Sequence, residues 1–443
     1  MIKLPCEVKT ALNKLHENGY EAYIVGGCVR DSLLGQEPKD YDITTSALPE
    51  ETKSVFSGFK IIETGIKHGT VTVLIDNIPL EITTYRIDSE YTDSRHPDSV
   101  IFTRSLHEDA ARRDFTINAI AYNDKSGTVD YFNGSDDIKL KLIRCVGNAD
   151  KRFTEDALRI MRALRFSSVL GFDIEKNTKK AIFNNKELLL NISSERISCE
   201  LLKLLCGKNA KQVIMEYIDV LGIIIPELLP MKGFDQKNCH HIYDILEHSA
   251  VTVEKIPPEP ALRLAALLHD IGKPHCFFIG QDGMGHFYGH AKIGADMSER
   301  IMERLKLDNA TRSLVVTLVK AHDVQIEESE KAVKRAMNKY TVDVFFKLIL
   351  LKRADNLAQN PEYIYRQKYY DKIEMIAHKI LEEKQCFCIK DLAVNGNDLI
   401  TLGISPGPKM GKILDKILDK VISGSLKNEK AVLLDYVCNK YIS

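Results

Sequence analysis

Apolar and polar positions follow two periods along the first half of the chain. Residues 3–20 space their apolar side chains as on one helical face and predict a helix ending near Gly19. Tyr23-Ile24-Val25 predicts a short strand, Gly26-Gly27 a turn, and the next residues a helix. A second strand is predicted to carry Asp40 and Asp42 with Tyr41 between them. Leu48-Pro49-Glu50-Glu51 opens a further helix, with proline near its start. Thr70–Asp76 is a β-rich run, and Leu80–Tyr85 alternates and is rich in β-branched residues, which predicts a strand with Glu81 on one face. Residues 86–99 are polar, lack apolar periodicity and read as a functional loop. Val129–Gly134 ends a strand in a turn. Residues 153–166 predict one helix capped by Thr154, with Ala157, Ile160, Met161 and Leu164 as its buried stripe. Another helix starts at Glu195 in ERISCELLKLL. Further on, HHIYDILEHSA and Leu264–Leu268 read as helical, and turns at Asn-Gly and Pro-Gly-Pro punctuate Asp391–Gly411 before a helix with spaced lysines.

Composition narrows the class. A chain of 443 residues is long enough for two to four domains. With 44% hydrophobic and 28% charged residues it reads as a soluble globular protein. No apolar run reaches the roughly 20 residues of a membrane helix, and the N-terminal stretch has no signal-peptide pattern. Ten scattered cysteines without paired CxxC units fit free thiols in a reducing cytoplasm. The net charge of −1 does not predict a nucleic-acid partner, so any such site must come from local asymmetry. Two basic runs supply it: Lys139 to Arg165, and the lysines from Lys409 to Lys430.

The candidate chemistry centres on Asp40 and Asp42. Residues two apart on a strand face the same way, so the two carboxylates repel unless a cation lies between them, and hard oxygen ligands suit Mg²⁺. The glycine pair lets backbone N–H groups approach a polyanion. Glu81 on a neighbouring strand would complete a two-metal cluster. Arg112 and Arg113 can grip triphosphate oxygens, and Asp114 can accept from ribose hydroxyls. Asp156 and Arg159, three apart on a helix, could be held rigid by pairing with each other and read the edge of a base. On the Watson–Crick edge ATP and CTP both present an exocyclic amine beside a ring-nitrogen acceptor, which UTP and GTP do not. Taken one at a time, these residues also read as solvated aspartates, a salt-bridged strand glutamate and an intrahelical ion pair.

Gly26-Gly27 followed by Asp40-Tyr41-Asp42 resembles the signature of polymerase-β-type nucleotidyltransferases. The strings GGCVRDSLLG…DYDITTSALPEE, RRDFTINA and EDALRIMRALRF are similar to motifs of the class II tRNA nucleotidyltransferases, which build the 3′ CCA end of tRNA without a nucleic-acid template. The resemblance implies an α+β head with a polymerase-β-like mixed sheet, followed by an all-α neck, body and tail. It implies catalytic Asp40, Asp42 and Glu81 with Mg²⁺. It implies nucleotide contacts from Gly26, Gly27, Arg30, Arg113, Asp114, Asn118, Asp156, Arg159, Arg162 and Arg165. The ERISCELLKLL helix is expected to brace the base-reading helix.

A second series, His248, His269-Asp270, His290, His322 and Asp355, resembles the HD superfamily of metal-dependent phosphohydrolases. His269-Asp270 ends an apolar helix, and burying both groups needs a partner such as a metal. The resemblance makes His248, His269, Asp270 and Asp355 the metal ligands. His290 and His322 would complete a second site, and Lys273 would lie near a phosphate. These ligand types admit Mg²⁺ or a divalent transition metal. The expected domains are a head (1–145), a base-recognising neck (146–206), a helical body with the HD site (207–384) and a tRNA-binding tail (385–443). The expected partners are the tRNA 3′ end, CTP and ATP, with no membrane and no DNA, in a cytoplasmic monomer or homodimer. Three rivals stand beside this reading. One is an enzyme adding only A beside a separate CC-adding partner. One is a bacterial poly(A) polymerase, disfavoured because residues 62–69 read IETGIKHG where that group carries a basic string. The last is an HD phosphohydrolase whose head only binds RNA.

Overall fold

The computed structural model describes residues 2–88 and 100–442, so most of the expected polar loop, residues 89–99, lies outside the described residues. The chain divides into two compact units, Met1–Leu229 and Pro230–Ser443.

The first unit opens with α1 (Cys6–Glu17), β1 (Ala22–Val25), α2 (Gly27–Leu33), β2 (Asp42–Thr45) and α3 (Pro49–Val55). It continues with β3 (Lys60–Ile62), β4 (Thr70–Ile75), β5 (Ile78–Thr84), β6 (Arg86–Asp88), β7 (Val100–Phe102), α4 (Leu106–Ala111), β8 (Ala121–Asn123), β9 (Gly127–Val129) and α5 (Gly134–Leu140). Seven strands form one sheet in the order β3-β4-β5-β2-β1-β8-β9. β2 and β5 run parallel, and every other neighbouring pair is antiparallel. Strand β1 is buried along its whole length, as a central strand covered on both faces must be. In β4, Val71, Val73 and Ile75 point into the core while the threonines and Leu74 alternate outward.

Two sequence expectations shift here. Strand β2 begins at Asp42, not at Asp40, because its partner β1 ends at Val25, opposite Asp42, where the chain turns at Gly26. Arg86–Asp88 is not loop but a strand, β6, paired antiparallel with β7.

The rest of the unit is helical: α6 (Ala149–Glu155), α7 (Leu158–Leu170), α8 (Lys176–Asn185), α9 (Ser194–Leu205), α10 (Ala210–Glu216) and α11 (Ile218–Ile224). The single helix expected over 153–166 is two. Asn148, not Thr154, caps α6 by accepting from Lys151 N, and Asp156 takes extended angles (φ −140°, ψ 102°) that end it. The expected stripe holds: Ala157, Ile160, Met161 and Leu164 are fully buried, and α7 packs against α9.

The second unit contains α12 (Ile245–Lys255), α13 (Pro260–Leu268), α14 (His290–Arg304), α15 (Asn309–Ala321), α16 (Glu330–Tyr340), α17 (Val342–Leu357), α18 (Gln367–Glu382), α19 (Gly396–Thr401), α20 (Pro408–Ile422) and α21 (Lys430–Val437). Helix α13 buries residues on nearly every side and packs against α12, α15 and α17. HHIYD is not helical, because Asp244 caps α12 by accepting from Glu247 N and so sets its start at Ile245. Leu399, Ile417, Leu433 and Val437 hold a separate core in the C-terminal part. All ten cysteines are free. Among the described residues no helix is long and apolar enough to cross a membrane.

Candidate functional site

The turn after β1 sets the first site. Gly26 has φ +77°, and a Cβ there would stand 3.3 Å from Arg113 Nη1. Glycine therefore serves twice, for its backbone angle and for the approach of a guanidinium. Across the sheet, Asp42 lies in register with Glu81 on the parallel strand β5. The carboxylates of Asp40, Asp42 and Glu81 make no hydrogen bond or ion pair with another described residue. Desolvation, then the charges of Asp40 and Glu81, raise the Asp42 carboxyl above its ordinary range, and Arg113 only partly opposes this. Uncompensated repulsion of this kind suits a divalent cation. The three carboxylates do not close tightly. Among the described residues, the trios of His, Cys, Asp or Glu with ligand atoms within 4.8 Å of one another all lie in the second unit.

A cavity of about 260 Å³ gathers Arg112, Arg113, Asp114, Asp156, Leu158, Arg159, Arg162 and Arg196. Fully buried Asp109 anchors its arginines. Arg112 Nη2 reaches Asp109 Oδ1 at 2.7 Å, and Arg113 Nη2 reaches Asp109 Oδ2 at 3.3 Å. Asp114 accepts from Arg162 Nη2 (2.6 Å), Phe115 N (2.8 Å) and Asn118 Nδ2 (3.2 Å). Burial alone would raise its pKa, but Arg162 and these donors hold it at about 2. Asn118 Oδ1 accepts from Arg30 Nη1 at 2.8 Å, and Asp31 binds the same guanidinium at 2.7 Å. Arg30 is thus engaged by protein partners. Arg165 does not line the cavity; it pairs with Glu200 at 2.6 Å and lies 4.0 Å above the Phe166 ring.

The expected pairing of Asp156 with Arg159 is absent. Asp156 Oδ1 accepts from Leu158 N (3.1 Å), and Arg196 on α9 holds Oδ2 at 2.9 Å. Arg159 Nη1 bonds Glu155 (2.7 Å) and the Arg152 carbonyl (3.1 Å), while Nη2 bonds the Arg112 carbonyl (3.1 Å). The break at Asp156 separates the two side chains, although both still line the cavity. Sequence reasoning named neither Asp109 nor Glu155, and it gave Arg196 only a general bracing role. The spacing that could have found the first two is Asp109 to Arg112 and Arg113, and Glu155 to Arg159, at i+3 and i+4.

The six expected ligands of the second unit converge. His248 Nε2 lies 3.0 Å from Asp355 Oδ1, and His269 Nε2 lies 3.2 Å from Asp270 Oδ2. The other oxygen of Asp270 stands 3.5 Å from His290 Nε2 and 3.6 Å from His322 Nε2. Asp270 therefore bridges two trios, His248-His269-Asp270 and Asp270-His290-His322. Each histidine has Nδ1 against a backbone carbonyl, those of Ala358, Ala266, Phe287 and Val319. That contact places a proton on Nδ1, so each ring in its neutral form turns the lone pair of Nε2 toward the centre. The Nε2 atoms then face one another in pairs, His248 to His269 at 3.3 Å and His290 to His322 at 3.1 Å. Two lone pairs at such distances repel, and a cation between them removes the conflict. Lys273 reaches Asp270 Oδ2 at 2.7 Å and Gln236 Oε1 at 2.7 Å.

Comparison with known proteins follows the same division. The sequence matches the poly A polymerase head domain over residues 22–144, the RNA and SrmB-binding site of polymerase A over 171–231, and tRNA nucleotidyltransferase domain 2 over 287–437. It is 37% identical over 429 residues to the CCA-adding enzyme of Lactobacillus delbrueckii subsp. bulgaricus, covering 96% of each chain. It is 36% identical over 437 residues to that of Ligilactobacillus salivarius, covering 98% of this chain and 96% of the other. The structure of the Bacillus stearothermophilus CCA-adding enzyme in complex with CTP matches with 30% identity and a TM-score of 0.75, over 98% of this chain and 96% of that one. With the mixed sheet, the arginine-lined cavity and this likeness over nearly its whole length, the chain belongs to the family of CCA-adding enzymes.

Proposed function

We propose that this chain is a template-independent nucleotidyltransferase that adds C and A residues to the 3′ end of tRNA from CTP and ATP, with its chemistry at Asp40, Asp42 and Glu81. The observation that carries the reading is the position of Arg113. It stands over the Gly26 turn, next to the carboxylate edge, and also lines the cavity that holds Asp114, Asp156 and Arg159. One nucleoside triphosphate can meet both. The solved relative from B. stearothermophilus carries CTP.

The unpaired carboxylates fit Mg²⁺, which when bound would neutralise phosphate charge at Asp40 and Asp42. The tRNA 3′-hydroxyl oxygen bonds the α-phosphorus, the bond to the β-phosphate oxygen breaks and pyrophosphate leaves. The hydroxyl proton passes to a carboxylate of the cluster. Arg113 faces the triphosphate, and Asp114, kept ionised by Arg162, accepts from the sugar. Asp156 accepts from the exocyclic amine of C or A, and Arg159 donates to the ring nitrogen beside it. The head (1–145), neck (146–206), body (207–384) and tail (385–443) divide the work. The lysines of α20 hold RNA phosphates, and ten free thiols fit a cytoplasmic setting. Incubation with tRNAs ending at the discriminator base, at C and at CC, with labelled CTP or ATP, tests this. Incorporation into all three is expected. Incorporation of A into the CC-ending tRNA alone would select an A-adding enzyme, and none at all would overturn the reading.

A second reading is favoured by the facing Nε2 lone pairs in the second unit. These residues would hold one or two divalent metals, with Asp270 shared between them. A phosphate ester would be neutralised beside Lys273 and opened to hydrolysis. Metal content of the protein reconstituted with Mn²⁺, against that of Asp270→Asn, tests it: bound metal in the first and a loss in the second support the centre.

A further inference from the structure

Phe166, in the second half of α7, is 6% exposed and stands among cations. Three guanidiniums lie against its ring, with Arg165 4.0 Å from the ring centroid, Arg30 5.2 Å and Arg162 5.5 Å. Arg30 comes from α2 and the other two from α7. Each has a carboxylate of its own: Asp31 for Arg30 at 2.7 Å, Asp114 for Arg162 at 2.6 Å and Glu200 for Arg165 at 2.6 Å. Like charges gathered this closely still repel. Burial lowers the Arg165 pKa, and the charges of Arg162 and Arg30 add to this against the pull of Glu200. An aliphatic side chain would fill the same space and leave the repulsion unopposed. A phenyl ring carries negative charge on its faces and attracts cations within about 6 Å of its centroid.

The three donors to the Asp114 carboxylate all lead back to this ring. Arg162, which donates through Nε at 2.8 Å, lies against it directly. Asn118 donates through Nδ2 at 3.2 Å, and its Oδ1 is held by Arg30 Nη1 at 2.8 Å. Phe115 donates through its backbone N at 2.8 Å, and its own ring packs edge-on against Phe166, with centroids 5.8 Å apart and planes at 82°.

We propose that Phe166 is a positioning residue for nucleotide addition: its aromatic face holds Arg30 and Arg162 in place, and through them the Asp114 carboxylate that meets the sugar of the incoming nucleotide. The proposal rests on the reading of Asp114 as the sugar's acceptor. Phe166 does not line the cavity, so it acts only through these neighbours. CTP and ATP share their sugar and phosphates, so both feel the ring equally. Choice of base falls to Asp156 and Arg159 and does not.

Phenylalanines bearing one, two or three ring fluorines, placed at position 166 of the full chain, test this. Fluorine withdraws negative charge from the ring face and changes its size little. KM for CTP and for ATP is expected to rise in steps, to about tenfold with three fluorines. The kcat, the KM for tRNA and the preference over UTP and GTP are expected to stay unchanged, as for loss of a contact made equally in ground and transition states. Phe166→Leu is expected to match the trifluorinated ring. A second readout needs no substrate: hydrogen exchange of the Arg162 Nε–H, followed by NMR, is expected to quicken with each fluorine. A flat response of both readouts across the fluorinated series would overturn the proposal, and a raised KM in Phe166→Leu beside it would assign the ring to packing alone. Failure of the sugar reading would look different. Exchange would quicken while KM for CTP stayed level, which would keep the ring's hold on the arginines and overturn its part in nucleotide binding.

Discussion

Asp114 shows how much one buried carboxylate asks of its neighbours. Its side chain is 8% exposed, and burial is the largest single influence on its titration, yet Arg162 reverses the outcome and keeps it charged. An aspartate in the unfolded chain titrates near 3.9. The native value of about 2 lies below that, so the pair's contribution is complete above the unfolded pKa and is lost as pH falls through the native one. It amounts to about 2 kcal/mol. Arg162→Ala leaves the carboxylate buried without its cation, and a loss of about 3 kcal/mol at neutral pH is expected in urea unfolding. In this variant only Phe115 N and Asn118 Nδ2 still oppose burial, so the folded pKa of Asp114 rises and its stabilising contribution above the unfolded pKa shrinks. The gap between the two proteins should therefore narrow as pH is lowered from 7 toward 3. A constant gap would show that Arg162 acts by packing rather than by charge.

At the scale of elements, the break between α6 and α7 is the decisive local feature, and it was the least legible one. The apolar stripe from Ala157 to Leu164 follows helical spacing and is buried as the periodicity requires. No glycine or proline marks Asp156; the one local signal is its own side chain, whose Oδ1 accepts from Leu158 N at 3.1 Å. A tertiary contact adds to it: Arg196 of α9, distant in sequence, holds the other oxygen of the Asp156 carboxylate. The start of α12 escaped notice for a simpler reason, because the helix-compatible residues HHIYD hid the cap at Asp244. By contrast, the turn at Gly26, the register of Asp42 with Glu81 and the convergence of the six histidine and aspartate residues in the second unit were legible, because turn chemistry, alternation and residue type all pointed to them. Arg196→Ala is expected to free Asp156 without touching substrate. Discrimination of CTP and ATP against UTP and GTP should fall about tenfold while KM for tRNA stays unchanged, and Arg196→Lys should restore part of it. Unaltered discrimination in steady-state incorporation would limit Arg196 to a structural brace.

At the scale of the molecule, the two candidate centres lie in separate compact units, Met1–Leu229 and Pro230–Ser443. Each draws its ligands from within its own unit. Their losses should therefore be independent, as they are for distant sites that share no partner. Asp270→Asn is expected to leave CTP incorporation within about twofold of wild type. The same change should abolish the stabilisation by Mn²⁺ that is expected of the wild-type protein, which would reach about 2.7 kcal/mol at a hundredfold excess over Kd. Thermal unfolding with and without Mn²⁺ checks the second point, and tRNA labelling checks the first. Loss of labelling in Asp270→Asn would mean that the units communicate.

The pair of Asp114 and Arg162 also bears on translation. The seven-stranded sheet can close once β9, ending at Val129, has left the ribosome, since every strand partner is then available. Asp114 is by then folded into a site without its guanidinium, and Asp156 must wait longer still for Arg196. A nascent chain stalled at residue 145 would hold a closed sheet around an unneutralised carboxylate, and its release from that state depends on synthesis of α7. The arginine-lined cavity is thus completed from its C-terminal side, after the strands of the sheet have all been made.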